Sequence, residues 1–287
     1  MKFVDVKNDI AFRKIFGNEN RKEVLISFLN AILLLENDHK IVNVEVLTPY
    51  QLPEIRGGKV TIVDIKAKDQ SDKNYIVEMQ VAEVEGFDKR VLYYASKSYS
   101  AQIARGDDYE KLNPTFFIGV LDFEITKNTD YISRHKFVDI KTGENLIKDI
   151  EFNFIELPKF NKSENQLNSI IDQWVYFIKN AENLDVIPEN ISDEGLKYAY
   201  QDAAKHNWTQ AELDAYDYVF MREQDERGRY SLAMKRAVSS AVNVAVTEAL
   251  QDKGKEIALN LLKLGLSVED VSKSTGLSIE QVEGIKT

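Results

Sequence analysis

Two acidic residues, Asp64 in KVTIVDIKAK (residues 59–68) and Glu78 in NYIVEMQVA (residues 74–82), stand on β-branched-rich runs joined by the polar DQSDK. Such runs with a five-residue polar connection predict a β-hairpin. With residues 69–73 as the loop, Lys68 opposes Asn74; the same register sets Asp64 opposite Glu78, Ile62 opposite Gln80 and Lys66 opposite Ile76. Directly opposed residues of an antiparallel pair share a face, with Cβ atoms about 4.5–5.5 Å apart, and like charges so placed repel. Something must compensate. Mg²⁺ is suited to this, because it takes oxygen ligands from one or two carboxylates and keeps its other positions for water and a phosphate. The alternative is a solvated edge with both acids facing water. The neighbours favour chemistry: Val63, Ile65, Val77 and Met79 make the opposite face apolar. Arg90, Tyr94 and Lys97 then recur at i, i+4 and i+7 on the following segment, which is one face of a helix. Two acids, the Gln80 amide and a cationic helix face suit a phosphodiester.

Several elements must position these groups. NDIAFRKIFGNENRKEVLISFLNAILLLEN carries apolar residues at helical spacing and is punctuated at Gly17-Asn18, which predicts two helices. Ile41 to Tyr50 alternates as a strand. Pro49 and Pro53 end it, and Gly57-Gly58 turns the chain into the hairpin. Gly86 to Arg105 reads as a helix, and TFFIGVLDF (residues 115–123) as a strand buried on both faces. HKFVDIK and DIEFNFIEL are two more strands. Everything after Pro158 is helical, beginning with the stripe Leu167, Ile170, Ile171, Trp174 and Phe177. The fold class expected is α/β, a mixed sheet with helices on its faces, followed by an all-helical extension. The divisions expected are residues 1–160, 161–264 and 265–287.

The order helix, strand, strand with Asp64, strand with Glu78-Met79-Gln80, helix, strand resembles the PD-(D/E)XK nuclease core. The segments NDIAFRKIFG, ISFLNAIL, VDIKAKD…YIVEMQ, FDKRVLYYASKSYSAQIARGDDY and FIELPKF are similar to the PD-(D/E)XK family transposases, also called recombination-promoting nucleases. The resemblance covers roughly residues 5–180. It implies a restriction-endonuclease-like core and metal-dependent endonuclease activity on DNA, used in recombination, transposition or defence against foreign DNA. It also implies Asp64, Glu78 and the backbone carbonyl of Met79 as ligands of Mg²⁺, with Mn²⁺ as an alternative ion. Gln80 stands where the wider superfamily has lysine; it can hold a water but cannot act as a base. Val63 replaces the proline that names the superfamily. Asp9 matches an acidic residue on the family's first helix, and is either a further ligand or an N-cap. Arg90 and Tyr94 match an R…YY element, which makes Arg90 a phosphate contact and Tyr94 either a contact or a core aromatic. Lys66 is a weaker candidate for DNA contact than an outward surface lysine. Asp69 and Asp72 read as turn formers.

Composition narrows the classes. The chain has 287 residues, 37 Lys+Arg against 47 Asp+Glu, no cysteine and three histidines. Thiolate chemistry and Cys-ligated metals are excluded. No apolar run reaches the roughly 20 residues of a membrane span, and no signal peptide is apparent, so a cytoplasmic protein without membrane contact is expected. The net charge of −10 argues at first against DNA binding, which draws on Lys and Arg. Its distribution answers this: residues 182–226 carry −9, whereas residues 1–30 carry +2. The acidity belongs to the helical extension. The tail repeats Gly-Leu-Ser at Gly265 and Gly276, with Ser267 and Ser278 as expected N-caps. At −2 over residues 266–287 it lacks the basic stripe of a DNA reader, and a helical packing or homo-oligomerisation element is the better reading. A degenerate nuclease fold kept as a nucleic-acid-binding or protein-interaction module is the alternative from another class; an RNA-directed nuclease would use the same residues.

Overall fold

The computed structural model describes residues 2–51 and 61–286. The expected turn at Gly57-Gly58, Pro53 and the start of the first hairpin run lie outside the described residues. The chain forms two compact units, Met1–Phe220 and Met221–Thr287.

In the first unit, helices α1 (Asp9–Phe16) and α2 (Lys22–Leu33) part at Gly17, as their punctuation predicts. Strands β1 (Val44–Leu47), β2 (Tyr50–Gln51), β3 (Thr61–Ile62), β4 (Ile65–Asp69) and β5 (Asn74–Gln80) follow. Then come α3 (Phe87–Ser100), β6 (Thr115–Leu121), β7 (Ile132–His135) and β8 (Ile150–Glu156). Six strands form one mixed sheet in the order β1-β4-β5-β6-β8-β7, and β2 pairs with β3 separately. β5, β6 and β8 run parallel at its centre. The fold is the mixed sheet flanked by helices that the sequence predicts.

Each face of the sheet has its own core. Odd residues of β5, Tyr75, Val77 and Met79, pack with α1, α2 and the helices α4 (Ile170–Asn180) and α5 (Glu194–Ala203). Ile76 points the other way and joins Val63, Phe117, Leu121 and Phe154 under Phe87, Val91 and Ala95 of α3. β6 contributes to both cores, which is why it is apolar at nearly every position. Trp174 and Phe177 of α4 lie edge-on to each other and continue a chain of rings through Phe16 and Phe28. α5 approaches α2 closely: a Cβ on Gly195 would lie 2.3 Å from the Glu23 carbonyl oxygen. Helices α4 and α5 therefore share the core of the sheet, although the sequence sets a boundary near residue 160.

Two strand expectations are corrected. KVTIVDIKAK is not continuous: Ile62 pairs with Tyr50, Val63 donates its N–H to the Pro49 carbonyl at 3.1 Å, and the ladder with β5 begins at Ile65. Ile62 does not oppose Gln80. Val63 lies in the α3-side core while Ile65 lies in the other, so the alternation slips at Asp64. The HKFVDIK strand is displaced to Ile132–His135, because Asp139 organises a turn by accepting the N–H groups of Lys141 and Thr142 at 2.9 and 2.8 Å.

α6 (Gln210–Lys263) is continuous where the sequence suggests two helices, and α7 (Val268–Thr275) and α8 (Ile279–Lys286) follow it. In the second unit Ala258, Val271, Leu277 and Val282 form a small core. Ser267 caps α7, and Ser278 and Gln281 bond reciprocally as a capping box. No described helix is long and apolar enough to cross a membrane.

Candidate active site

The hairpin register is the predicted one: Ile65 pairs with Val77, Lys66 with Ile76 and Lys68 with Asn74. The turn is closed by Asp69, which accepts the N–H groups of Ser71 and Lys73 and the Tyr75 hydroxyl, and by Asp72 at φ 61°. One step beyond the ladder β4 departs, and one peptide N–H on each side of the break is met by a side chain. Asp64 donates its N–H to Glu78 Oε1 at 3.2 Å, and Asp64 Oδ2 accepts the Met79 N–H at 2.9 Å. The carboxylates thus meet through peptide groups at the place where two strands part, rather than as one more rung. N–H and C=O of one strand residue point to the same side, so the Met79 carbonyl also faces the Asp64 edge. Gln80 faces the other way, its carbonyl accepting the Asp122 N–H at 3.0 Å.

Two guanidiniums approach this pair from opposite faces of the sheet. Arg13 of α1 gives Nε and Nη2 to Asp64 Oδ1, at 3.0 and 2.8 Å. Arg90 of α3 donates Nη2 to Gln80 Oε1 and lies over the Phe87 ring. Gln80 Nε2 donates to the Ala82 carbonyl at 3.0 Å, so its amide is held at both ends. Burial opposes the charge on Arg13, but its bond to Asp64 outweighs this and raises its pKa. Glu78 has the opposite balance. Burial first, then the Asp64 charge, push it up to about 8, and the Asp64 N–H, Arg90 and Arg13 offset this only in part. Tyr94 is raised by burial and by Glu78 and Asp64, so its hydroxyl keeps its proton.

Asp9 is the first residue of α1, but the N-cap is Asn8, whose Oδ1 accepts from Ile10 and Ala11; the capping alternative for Asp9 is thereby corrected. Asp9 acts electrostatically on Arg13, one turn along. The Lys97 ammonium lies 5.8 Å from the Tyr93 ring centroid. Lys66 lines a separate cavity with Lys68 and Ser98, and burial lowers its pKa. Arg13 is the residue that sequence reasoning missed. The signal available was its place one helical turn after Asp9, together with the demand of two acids for a cation.

Two carboxylates and a peptide carbonyl are hard oxygen donors, which fits a Mg²⁺-type ion that retains several waters. Among the described residues no group of three or more His, Asp or Glu side chains gathers as a metal site. An ion held by this pair would complete its shell largely with water and substrate.

The Glu78 shift has a consequence for stability. Its folded pKa lies above the ordinary 4.5, so between about pH 4.5 and 8 the native state holds a proton that the unfolded chain releases. Stability falls as pH rises through that window and levels off above it. In EDTA, Glu78→Gln should remove this fall and exceed the wild type at pH 9 by up to about 5 kcal/mol in urea unfolding. Parallel pH profiles for the two proteins would contradict the shift.

A mixed sheet with helices on both faces and an acidic pair at a strand break is an α/β architecture consistent with a PD-(D/E)XK nuclease-like fold. A family model described as PD-(D/E)XK nuclease family transposase matches residues 6–232. The chain belongs to that family. No curated protein and no solved structure matches it.

Proposed function

We propose that the chain is a metal-dependent DNA endonuclease that hydrolyses phosphodiester bonds, serving recombination, transposition or defence against foreign DNA. The observation that carries this is the convergence of Asp64, Glu78 and the Met79 peptide where β4 leaves β5. Asp64, Glu78 and the Met79 carbonyl would hold Mg²⁺ or Mn²⁺, with Asp9 as a further acid on the α1 side. The ion would supply Lewis acidity, polarising the phosphodiester and acidifying water.

The chain's own groups do the rest. Gln80, fixed by Arg90 and the Ala82 carbonyl, has a lone pair left to orient the attacking water, and removes no proton. Arg90 supplies a planar cation for the phosphate. Tyr94 supplies a hydroxyl donor beside Glu78. Lys97 and Lys66 extend positive charge along the α3 side.

The test is nicking of supercoiled plasmid by the wild type, Asp64→Ala and Glu78→Ala, each with Mg²⁺ or EDTA. Activity is expected in the wild type with Mg²⁺ alone; equal activity in every arm removes the reading. One observation favours a catalytically silent binding module instead: Arg13 already neutralises Asp64. That reading requires no carboxylate-dependent Mg²⁺ or Mn²⁺ affinity.

The second unit supports a homo-oligomer. Leu232, Val238, Val242, Val246 and Leu250 of α6 are all exposed in the single chain, and such a helix normally buries its apolar residues. Light scattering should give a mass above the 32.9 kDa of one chain. A monomer at micromolar concentration would contradict this.

A further inference from the structure

A cavity of ≈430 Å³ lies on the α3 side of the sheet, lined from β4 by Lys66 and Lys68, from the end of α3 by Ser98, and by Lys111. Three features distinguish it. The Ser98 hydroxyl is buried, at 2% exposure, and has no hydrogen-bond partner among the described residues. Lys66 is half-buried, and among the described residues no carboxylate pairs with it. The acids of the lining are already engaged: Asp72 pairs with Lys68 at 2.7 Å, and Glu45 acts on the same lysine. Lys111 pairs with Asp107 at 2.9 Å, outside the lining.

A partly buried cation without a counter-ion and a buried hydroxyl without a partner each carry a desolvation cost. A ligand with negative charge and several acceptor oxygens relieves both. The size is that of a small-ligand site, enough for a nucleotide unit rather than a bare ion. Its position is informative as well. Lys66 pairs with Ile76, two residues from Glu78 on the same face of β5, or about 7 Å; Asn74, at the far end of the lining, lies about 13 Å from Glu78. A strand with its cleaved phosphate at Asp64 and Glu78 brings its next phosphates over this distance.

We propose that the cavity is a phosphate subsite in which Lys66 and Ser98 hold a backbone phosphate flanking the one cleaved. It rests on the nuclease reading for the source of that phosphate. Lys68 and Lys111 form its rim, and their ion pairs leave Lys66 as the principal charge.

The experiment uses the full chain in EDTA, where no cleavage occurs, and reads the anisotropy of a fluorescein-labelled 20-base-pair DNA over a salt series. Lys66→Gln should weaken binding about 5–10-fold and lower the salt slope by about one. Ser98→Ala should also weaken binding, while the free protein melts at the same or a higher temperature, because the hydroxyl removed had no partner. A second arm compares melting in sodium phosphate and in sodium chloride of equal ionic strength; phosphate should raise the wild-type melting temperature more than that of either variant. Wild-type affinity and slope in both variants, with equal phosphate shifts, overturns the subsite. If nicking depends on Asp64 and Glu78 in that case, the nuclease reading survives without it. If the wild type binds no DNA but phosphate stabilises it through Lys66 and Ser98, the anion site stands and the nuclease reading falls.

Discussion

Asp64→Ala should lower divalent-metal-dependent nicking by about a thousandfold or more, with the protein still folded. Asp64 accepts from the Met79 N–H and from Arg13 at once, so its removal would take away the proposed metal ligand and free a guanidinium in the same place. Lewis-acid stabilisation of a phosphoryl transition state is worth several kcal/mol, and each 1.4 kcal/mol is about tenfold in rate. Asp64→Asn keeps the side-chain volume and an acceptor oxygen for Met79 and should lose nearly as much activity. That comparison separates charge from shape. A thermal melt within a few degrees of the wild type confirms that lost activity is not lost fold; a nicking rate within threefold of the wild type would contradict the assignment.

The second large effect concerns stability. Glu156, at the carboxyl end of β8, is fully buried and accepts the N–H groups of Ile125 and Thr126 at 2.7 and 3.2 Å. It pairs with Lys159 Nζ at 2.8 Å, and the lysine side chain is only 6% exposed. Burial opposes its ionisation, but Lys159, Thr126 and the two amides outweigh this and lower its pKa. Its contribution is therefore present above the ordinary carboxylate range and lost as pH falls through the lowered value. Removing one partner of a buried pair leaves the other charge uncompensated, at about 3–5 kcal/mol. Glu156→Ala should lower the urea midpoint accordingly, whereas Glu156→Leu with Lys159→Met should recover most of the loss. A single-variant loss below about 1 kcal/mol would contradict this. The pair stands near the site: Glu156 is in register with Leu121, and Leu121 with Gln80. It is also the acid of FIELPKF, so one of the segments that carries the family resemblance has a structural role here.

What the sequence makes legible follows from periodicity. The hairpin register from Ile65 to Lys68, the two-faced burial of β6 and the α1–α2 break all rest on local patterns that tertiary contacts leave intact. The strand break at Asp64 is marked in KVTIVDIKAK only by the adjacent apolar pair Ile62-Val63, where the alternation changes phase; the pairing with Tyr50 and Pro49 that fixes it is not encoded in a linear pattern. Asn8 takes the cap because its side chain reaches two amides of the first turn, a choice that neighbouring Asn8 and Asp9 leave open in the sequence. Arg13 and Ser98 depend on contacts between elements far apart in the chain, Arg13 with Asp64 across 51 residues. The acidic composition was the least informative feature, since its charge is concentrated in residues 182–226 and the acidic pair lies in the sheet.

The most direct test of the central claim is calorimetric titration of the metal-free protein with Mn²⁺ near pH 7.5. The account predicts binding in the wild type that both Asp64→Asn and Glu78→Gln abolish or weaken at least tenfold. Binding of equal strength in all three proteins, or none in the wild type, would contradict it.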